Sequence, residues 1–409
     1  MADRVIIVGG GAAGMFAAIR AAELAPELTV TLLEKSKDLL QKVGISGGGR
    51  CNVTHDCRDP RALVAYYPRG SRELRGPFSR FAAQDTIDWF EGRGIQLKTE
   101  ADGRMFPITD DSATVIDCLV DAARAAGVEI LTRRKVESAR HDVAGFTVAL
   151  ADGSAIVGQR LLIATGGMRG GGGGALAAGF GHSVLEPVPS LFTFNIDDPR
   201  LLDLSGLAVQ DAGVRVDGEK DLRQRGPLLV THWGMSGPGI LKLSAWGARR
   251  LAERDYTFDL VVDWLPTLPN GGEAELIAVA RQESAKRKVA STPLGGLPRR
   301  LWERLVTAAG IPADRMWTEL RKDESRLLVR ELREGRFPVT GKSINKDEFV
   351  TCGGVPLKEV DLRRYESRKV PGLFFAGEVL DIDGVTGGFN LQGSWTAGWI
   401  AGEGLAVQA

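Results

Sequence analysis

Arg4 to Val8 is a short apolar run with the length of a buried strand, and it empties into Gly9-Gly10-Gly11-Ala12-Ala13-Gly14. An alanine-rich segment of helical character follows to about Ala25, and a second apolar run, Leu28 to Leu33, ends at Glu34. Strand, glycine turn, helix, strand and acid in this order predict a dinucleotide-binding βαβ unit. Gly9 permits the tight turn, Gly11 lets the backbone approach a pyrophosphate, and Gly14 lets the helix pack close to the strand. Free N–H groups at the helix start, around Ala12 and Ala13, attract phosphate charge. Glu34 lies at the strand end, where a carboxylate accepts hydrogen bonds from ribose hydroxyls.

The chain of 409 residues is longer than one typical core, which predicts two or three domains. Lys+Arg and Asp+Glu both number 52, so no overall field draws the protein to nucleic acid or to an anionic membrane, and nucleic-acid binding is not expected. No apolar run reaches the ~18–20 residues that span a bilayer. The N-terminal apolar run is already used by the nucleotide fold, so a cytoplasmic protein is expected. The four cysteines (Cys51, Cys57, Cys118, Cys352) contain no CxxC pair, and there are only four histidines. Neither a disulfide framework nor a metal site is expected. No motif specifies an oligomeric state.

Both ends of the chain contribute to one predicted α/β sheet. Helical periodicity over 86–94 and 112–126 leads to a strand at Val128–Leu131, and Phe146–Leu150 with the turn Asp152-Gly153 reads as a hairpin. Arg160 to Ala164 is another buried strand, ending in Thr165-Gly166-Gly167, and Val370 to Glu378 repeats the pattern of a strand with glycine at its carboxyl end. An apolar helix is predicted from about Leu391 to Leu405, with Trp395 and Trp399 in the core. The middle differs. Short β-prone runs (Leu191–Ile196, Gly213–Val216, Leu228–Thr231, Thr257–Val262) predict a small antiparallel barrel or sandwich. Residues 272–334 are charged and helix-prone. The expected organisation is a dinucleotide-binding segment 1–189, a β-barrel insert 190–265, a helical insert 266–340 and a second segment of the dinucleotide-binding domain, 341–409. Between Arg281 and Arg304 seven residues are basic and two acidic, which leaves either a solvated helix surface or an RNA-contacting face. A GxGxxA match at Gly172, Gly174 and Ala177 lacks its own strand–helix unit and a later acid, and is not a second nucleotide site.

Lys35 directly follows Glu34, and a second glycine-rich, basic loop, Lys42 to Asn52, comes soon after. An NAD dehydrogenase has no need of it, whereas the ribityl chain and ring of FAD extend well beyond the first turn. Gly377-Glu378 supplies a carboxylate at a strand end, and Gly387-Gly388-Phe389-Asn390-Leu391 opens the final helix. The positive end of that helix would stabilise negative charge on reduced flavin.

These residues resemble the BaiN-like family of bacterial flavoproteins, NAD(P)/FAD-dependent oxidoreductases with some members linked to aminoacetone oxidation. The matching motifs are VIIVGGGAAG (5–14), LLEK (32–35), KVGISGGGRCNVTH (42–55), GRMFP (103–107), LLIATGG (161–167), THWGMSGPGIL (231–241), VTCGGVPLKEVD (350–361) and GLFFAGEVLDIDGVTGGFNLQ (372–392). The resemblance implies a glutathione-reductase-like FAD-binding Rossmann domain interrupted by an insert with a small β-barrel and a helical subdomain. It implies FAD contacts at Glu34, Lys35, Lys42, Arg50, Cys51, Asn52, Ala164, Thr165, Glu378, Asn390 and Leu391, with a backbone contact from Val136 to adenine. One departure is that Met168-Arg169 and five consecutive glycines, Gly170–Gly174, replace the Ser/Tyr-Pro and Thr-Gly-Ser-Thr-Gly stretch common after ATGG.

The expected activity is FAD-dependent oxidation or reduction of a small organic metabolite by hydride transfer at flavin N5. NAD(P)H is a candidate transient donor, because no second βαβ unit is present to hold it permanently. His232, in the insert, has a pKa range suited to proton transfer and is the candidate catalytic residue. Arg104 is either a substrate-carboxylate anchor or a surface salt bridge. Cys51 has no partner cysteine and is expected to pack beside the cofactor loop. Two alternatives stay open: a flavin-dependent RNA-modifying enzyme and a non-catalytic flavin-binding protein.

Overall fold

The computed structural model describes residues 3–167, 172–343 and 350–407. It divides into two compact units, Met1–Pro189 with Lys346–Ala409, and Ser190–Asn345.

The first unit is built on a seven-stranded sheet. Five strands run parallel in the order Leu373–Phe375, Arg160–Ile163, Arg4–Val8, Thr29–Leu33, Glu129–Leu131, and two short antiparallel strands, Glu366–Ser367 and Val360–Asp361, continue beyond Leu373–Phe375. The central strands are near-continuous apolar runs because both faces are covered: Val5, Ile6, Ile7, Leu161, Leu162 and Ile163 are all fully buried. The register brings the strand ends level, with Val8 opposite both Leu33 and Ile163, and Ile163 opposite Phe375.

The opening helix, Ala12–Leu24, lies against the closing helix, Phe389–Ala406. Their approach depends on absent side chains. A Cβ on Gly398 would stand 2.5 Å from the Ala13 carbonyl oxygen, and one on Gly402 would stand 2.7 Å from Arg20 Cβ. Trp395 is fully buried, and Trp399 stacks on Phe81 at 4.8 Å with the Arg20 guanidinium over its face. An antiparallel three-stranded sheet, Val136–Asp142, Gly145–Leu150 and Ala155–Gly158, accounts for the hairpin predicted around Asp152-Gly153.

The second unit holds seven antiparallel strands in the order Gly335–Val339, Phe258–Asp263, Ala208–Val216, Arg223–Thr231, Gly234–Ser236, Thr193–Asn195, Gly341–Ser343. The two outermost strands are separated in the chain by Thr340 alone, so the sheet's edges meet there and it curls into a small barrel. Residues 335–343 therefore belong to the barrel, whereas the expected organisation places 335–340 in the helical insert and 341–343 in the second FAD segment. Pro338 explains the difference: proline removes a ladder donor and is accommodated because this strand lies at a sheet edge. The helices Gly272–Glu283, Arg299–Ala308 and Lys322–Glu334 form the helical part, with Trp302 and Trp317 stacked and fully buried in the same core as Phe337 and Leu260. Among the described residues no helix is long and apolar enough to cross a membrane.

Candidate functional site

Four parallel strands end together, and each releases its chain into a predicted site segment. Val8 leads to Gly9, Leu33 to Glu34, Ile163 to Ala164-Thr165-Gly166, and Phe375 to Ala376-Gly377-Glu378. Open α/β sheets take ligands at this carboxyl edge, where backbone groups leave the ladder and face outward. The motif glycines serve different ends. Gly9 has φ +117° and touches the neighbouring strand end, since a Cβ there would stand 2.3 Å from Ala164 O. Gly14 abuts the Gly9 carbonyl, at 2.0 Å from a hypothetical Cβ, and so closes helix on strand. Gly11 caps the opening helix without a side-chain hydrogen bond, and a Cβ on it would meet nothing within 4 Å. The first N–H groups of the helix, at Ala12 and Ala13, carry no side-chain cap beside that open space.

The Glu34 carboxylate is held in place. It accepts from Gly10 N at 2.8 Å and from Ser36 N and Oγ at 2.8 and 2.7 Å. Its backbone pairs with the chain leading to Val136, through Leu131 O at 2.9 Å and Arg134 N at 2.8 Å. The predicted adenine contact, Val136, thus lies two residues beyond a direct bond to Glu34, and Lys35 is exposed beside it. Further along, Lys42 is ion-paired with Glu378, joining the second glycine loop to the end of the late strand.

Open backbone and unpartnered hydroxyls mark this edge. No atom lies within 4 Å of a Cβ built on Gly11, Gly48, Gly49 or Gly166, so three backbone segments border open space. Two buried hydroxyls, Thr165 Oγ1 and Thr351 Oγ1, have no protein partner. Thr351 escaped the sequence reading as a site residue. It lies far along the chain, and only its strand pairing with Leu185–Pro189 brings it to Gly167, whose Cβ would stand 2.5 Å from its hydroxyl and 3.0 Å from Glu378 Oε2.

Several predicted contact side chains are already engaged by the protein. Asn390 is clamped to Gly384, accepting from its N at 2.8 Å and donating to its O at 2.9 Å. The Asn52 amide donates to Thr54 O at 3.0 Å and accepts from Gly388 N at 2.9 Å. Phe389 is buried, stacked on Tyr66 at 4.2 Å and on His55 at 4.7 Å. At Asn52, Phe389 and Asn390 only the backbone is left to meet a ligand, as at Gly377 and Gly388; Leu391, in the first turn of the closing helix, is half-buried. Arg50 pairs with Glu100 at 2.6 Å and lies over Phe106, and Arg104 pairs with the same Glu100 at 2.9 Å and with Asp102. Arg104 is thus the surface salt bridge of the two alternatives. Cys51 is fully buried with φ +62°, and burial pushes its thiol up to about 12, so it is no thiolate nucleophile.

His232 occupies the two-residue turn between the strands Arg223–Thr231 and Gly234–Ser236, exposed beside Trp233, which is 66% exposed. His182 shows triad-like geometry, 2.8 Å from both Glu359 Oε2 and Ser367 Oγ. Ser367 Oγ is occupied by the N–H groups of Lys369 and Val370 and is buried, so this cluster ties the chain together and attacks nothing. Met168–Gly171, the centre of the family departure, lie outside the described residues; Gly172–Gly179 is a helix whose Gly173 lies against Thr165. All four cysteines are free, and among the described residues no cluster of three metal-ligating side chains occurs.

A parallel sheet with a glycine turn, an uncapped helix start and an acid at the second strand end defines a Rossmann-type dinucleotide-binding protein. The chain belongs to the HI0933-like protein Rossmann family, whose model matches residues 3–404. This agrees with the BaiN-like resemblance. It is 32% identical over 98% of its length to a ribosomal RNA dihydrouridine synthase of Escherichia coli, covering 97% of that protein. It is 28% identical, over 99% of each chain, to a 3-dehydro-bile acid delta(4,6)-reductase of Clostridium scindens. Among solved structures, 3-ketosteroid-delta4-(5alpha)-dehydrogenase of Rhodococcus jostii matches with a TM-score of 0.54 at 15% identity, over 99% of this chain and 96% of that one, a likeness of fold.

Proposed function

We propose that this protein is an FAD-dependent oxidoreductase that saturates a carbon–carbon double bond conjugated to a carbonyl group. The observation that carries the reaction type is what two full-length relatives share. A dihydrouridine synthase and a delta(4,6)-reductase of a 3-oxo steroid acid both add two hydrogens to such a bond. Support for the cofactor comes from the open glycine cradle and the two unpartnered threonine hydroxyls at the strand ends.

When bound and reduced by two electrons from NAD(P)H, FAD would supply hydride for the alkene carbon remote from the carbonyl, and a proton would complete the carbon next to it. In this reading Glu34, fixed by Gly10 and Ser36, holds the adenosine ribose. The N–H groups of Ala12 and Ala13 face the pyrophosphate. Thr165, Thr351 and the Glu378–Lys42 pair serve the polar middle of the cofactor. Gly388, Leu391 and the backbone at Asn52, Phe389 and Asn390 border the ring. His232, exposed on its turn, is the proposed proton donor.

Anaerobic titration tests the whole reading. NADH or NADPH is expected to bleach the flavin band, and a 4-en-3-one steroid or uridine-containing RNA to restore it. Bleaching by aminoacetone with recovery only in oxygen would make the protein an amine oxidase instead. Protein that stays colourless after loading with FAD would remove the cofactor assignment.

A further inference from the structure

On the Ser190–Asn345 unit, the strands Ala208–Val216 and Arg223–Thr231 and the helix Lys322–Glu334 border an open cavity of about 960 Å³. Six arginines line it against three acids. The acids are taken: Arg333 pairs with Asp263 at 3.3 Å and Glu273 at 3.1 Å, and Arg215 reaches Glu334 at 3.9 Å. Arg225 is held by Asp211. Arg223, Arg326 and Arg330 are exposed and have no ion pair among the described residues.

Their placement is unfavourable without an anion. Arg223 stands directly opposite Arg215 in the antiparallel ladder, and like charges facing across strands destabilise a sheet. Arg326 and Arg330 are four apart on one helix, where like charges also repel. Two such conflicts border one cavity. A ligand bearing several phosphates relieves both, because guanidinium planes match phosphate oxygens in a bidentate fashion. The strand that begins with Arg223 and Arg225 ends at Thr231, about 20 Å beyond Arg225 at ~3.3 Å per residue, and the exposed Trp233 follows in the hairpin turn. Guanidiniums at one end and a free indole at the other suit a polynucleotide, with phosphates on the former and an unstacked base on the latter.

We infer that this arginine-lined cavity, with Arg223, Arg326 and Arg330, binds the phosphate backbone of RNA. The choice of RNA rests on the proposed reduction, since uracil carries a double bond of the required kind. The balanced net charge does not oppose it, because the total averages over an uneven surface.

The test is fluorescence anisotropy of a labelled single-stranded RNA 20-mer with the flavin-loaded protein across a salt series. Arg326→Gln with Arg330→Gln is expected to weaken binding about tenfold and to reduce the slope of log K against log salt by about 1.4, at ~0.7 per lost contact. Wild-type affinity and slope in that variant would overturn the inference. So would an equal loss from Lys286→Gln with Lys288→Gln on the exposed basic stretch, or displacement of the RNA by polyglutamate as readily as by unlabelled RNA. Enone-driven flavin reoxidation is followed on the same samples. If it persists while RNA fails to bind, the cavity assignment falls and the reduction stands; the reverse result separates them the other way.

Discussion

Gly9 and Gly11 sit two residues apart under opposite constraints. A Cβ at Gly9 collides with Ala164 O and requires φ +117°, so Gly9→Ala is expected to lose at least about 2 kcal/mol of folding stability. A Cβ at Gly11 meets no protein atom, and its φ of −85° suits alanine. Gly11→Ala should therefore leave the flavin-free protein within about 1 kcal/mol of wild type and weaken FAD binding by about tenfold. Thermal melts of apoprotein alongside flavin titrations read the two effects apart. Unchanged affinity in Gly11→Ala would show that the open space above it is not the pyrophosphate site. The turn at Gly9 and the close packing at Gly14 are legible in the sequence, because they follow from backbone geometry within one motif. The protein partners of Asn390, Asn52 and Arg50 are not. A polar side chain beside a site has the same appearance in sequence whether it meets the ligand or clamps the loop that does.

Between elements, the contact of the opening and closing helices rests on small residues. Alanine is ordinarily better than glycine in a helix by about 1 kcal/mol. At Gly398 the opposite sign is expected, because the added methyl stands 2.5 Å from the Ala13 carbonyl. Gly398→Ala should lower Tm, and a raised Tm would mean that the helices separate without cost. The His182 cluster joins the segment after the Gly172–Gly179 helix to the chain around Glu359–Lys369. Burial lowers the pKa of His182, with Glu359 offsetting part of the shift. Burial pushes the Glu359 carboxyl up, but hydrogen bonds from Lys369, Ser183 and His182 outweigh it and hold the group down to about 2. The folded protein thus resists protonation at both groups more than the unfolded chain does. Stability should fall as pH drops below about 6.5, through His182, and again between about 4.5 and 2, through Glu359. In melts across pH, His182→Gln should flatten the first decline and leave the second.

At the scale of the whole molecule, the Ser190–Asn345 unit has its own core, and its terminal strands pair directly, with Thr193 opposite Ser343. A fragment spanning these residues is expected to fold cooperatively and to remain colourless with FAD, since every strand end of the candidate nucleotide site lies in the other unit. A disordered fragment by circular dichroism would contradict this. The division is hard to place from sequence because strand pairing is non-local: 335–340 fall to the helical insert and 341–343 to the second FAD segment until the barrel gives them neighbours. The βαβ unit, the acid at its second strand and the late strand with its closing helix were legible from local pattern alone, because a turn, a strand period and a helix start are encoded within a few residues. Bringing Thr351 to Glu378, engaging Asn390 with Gly384 and setting Arg215 against Arg223 took the folded chain. Those relations join residues that are distant along the backbone or differ only in where a side chain points, and local propensity carries no information about either.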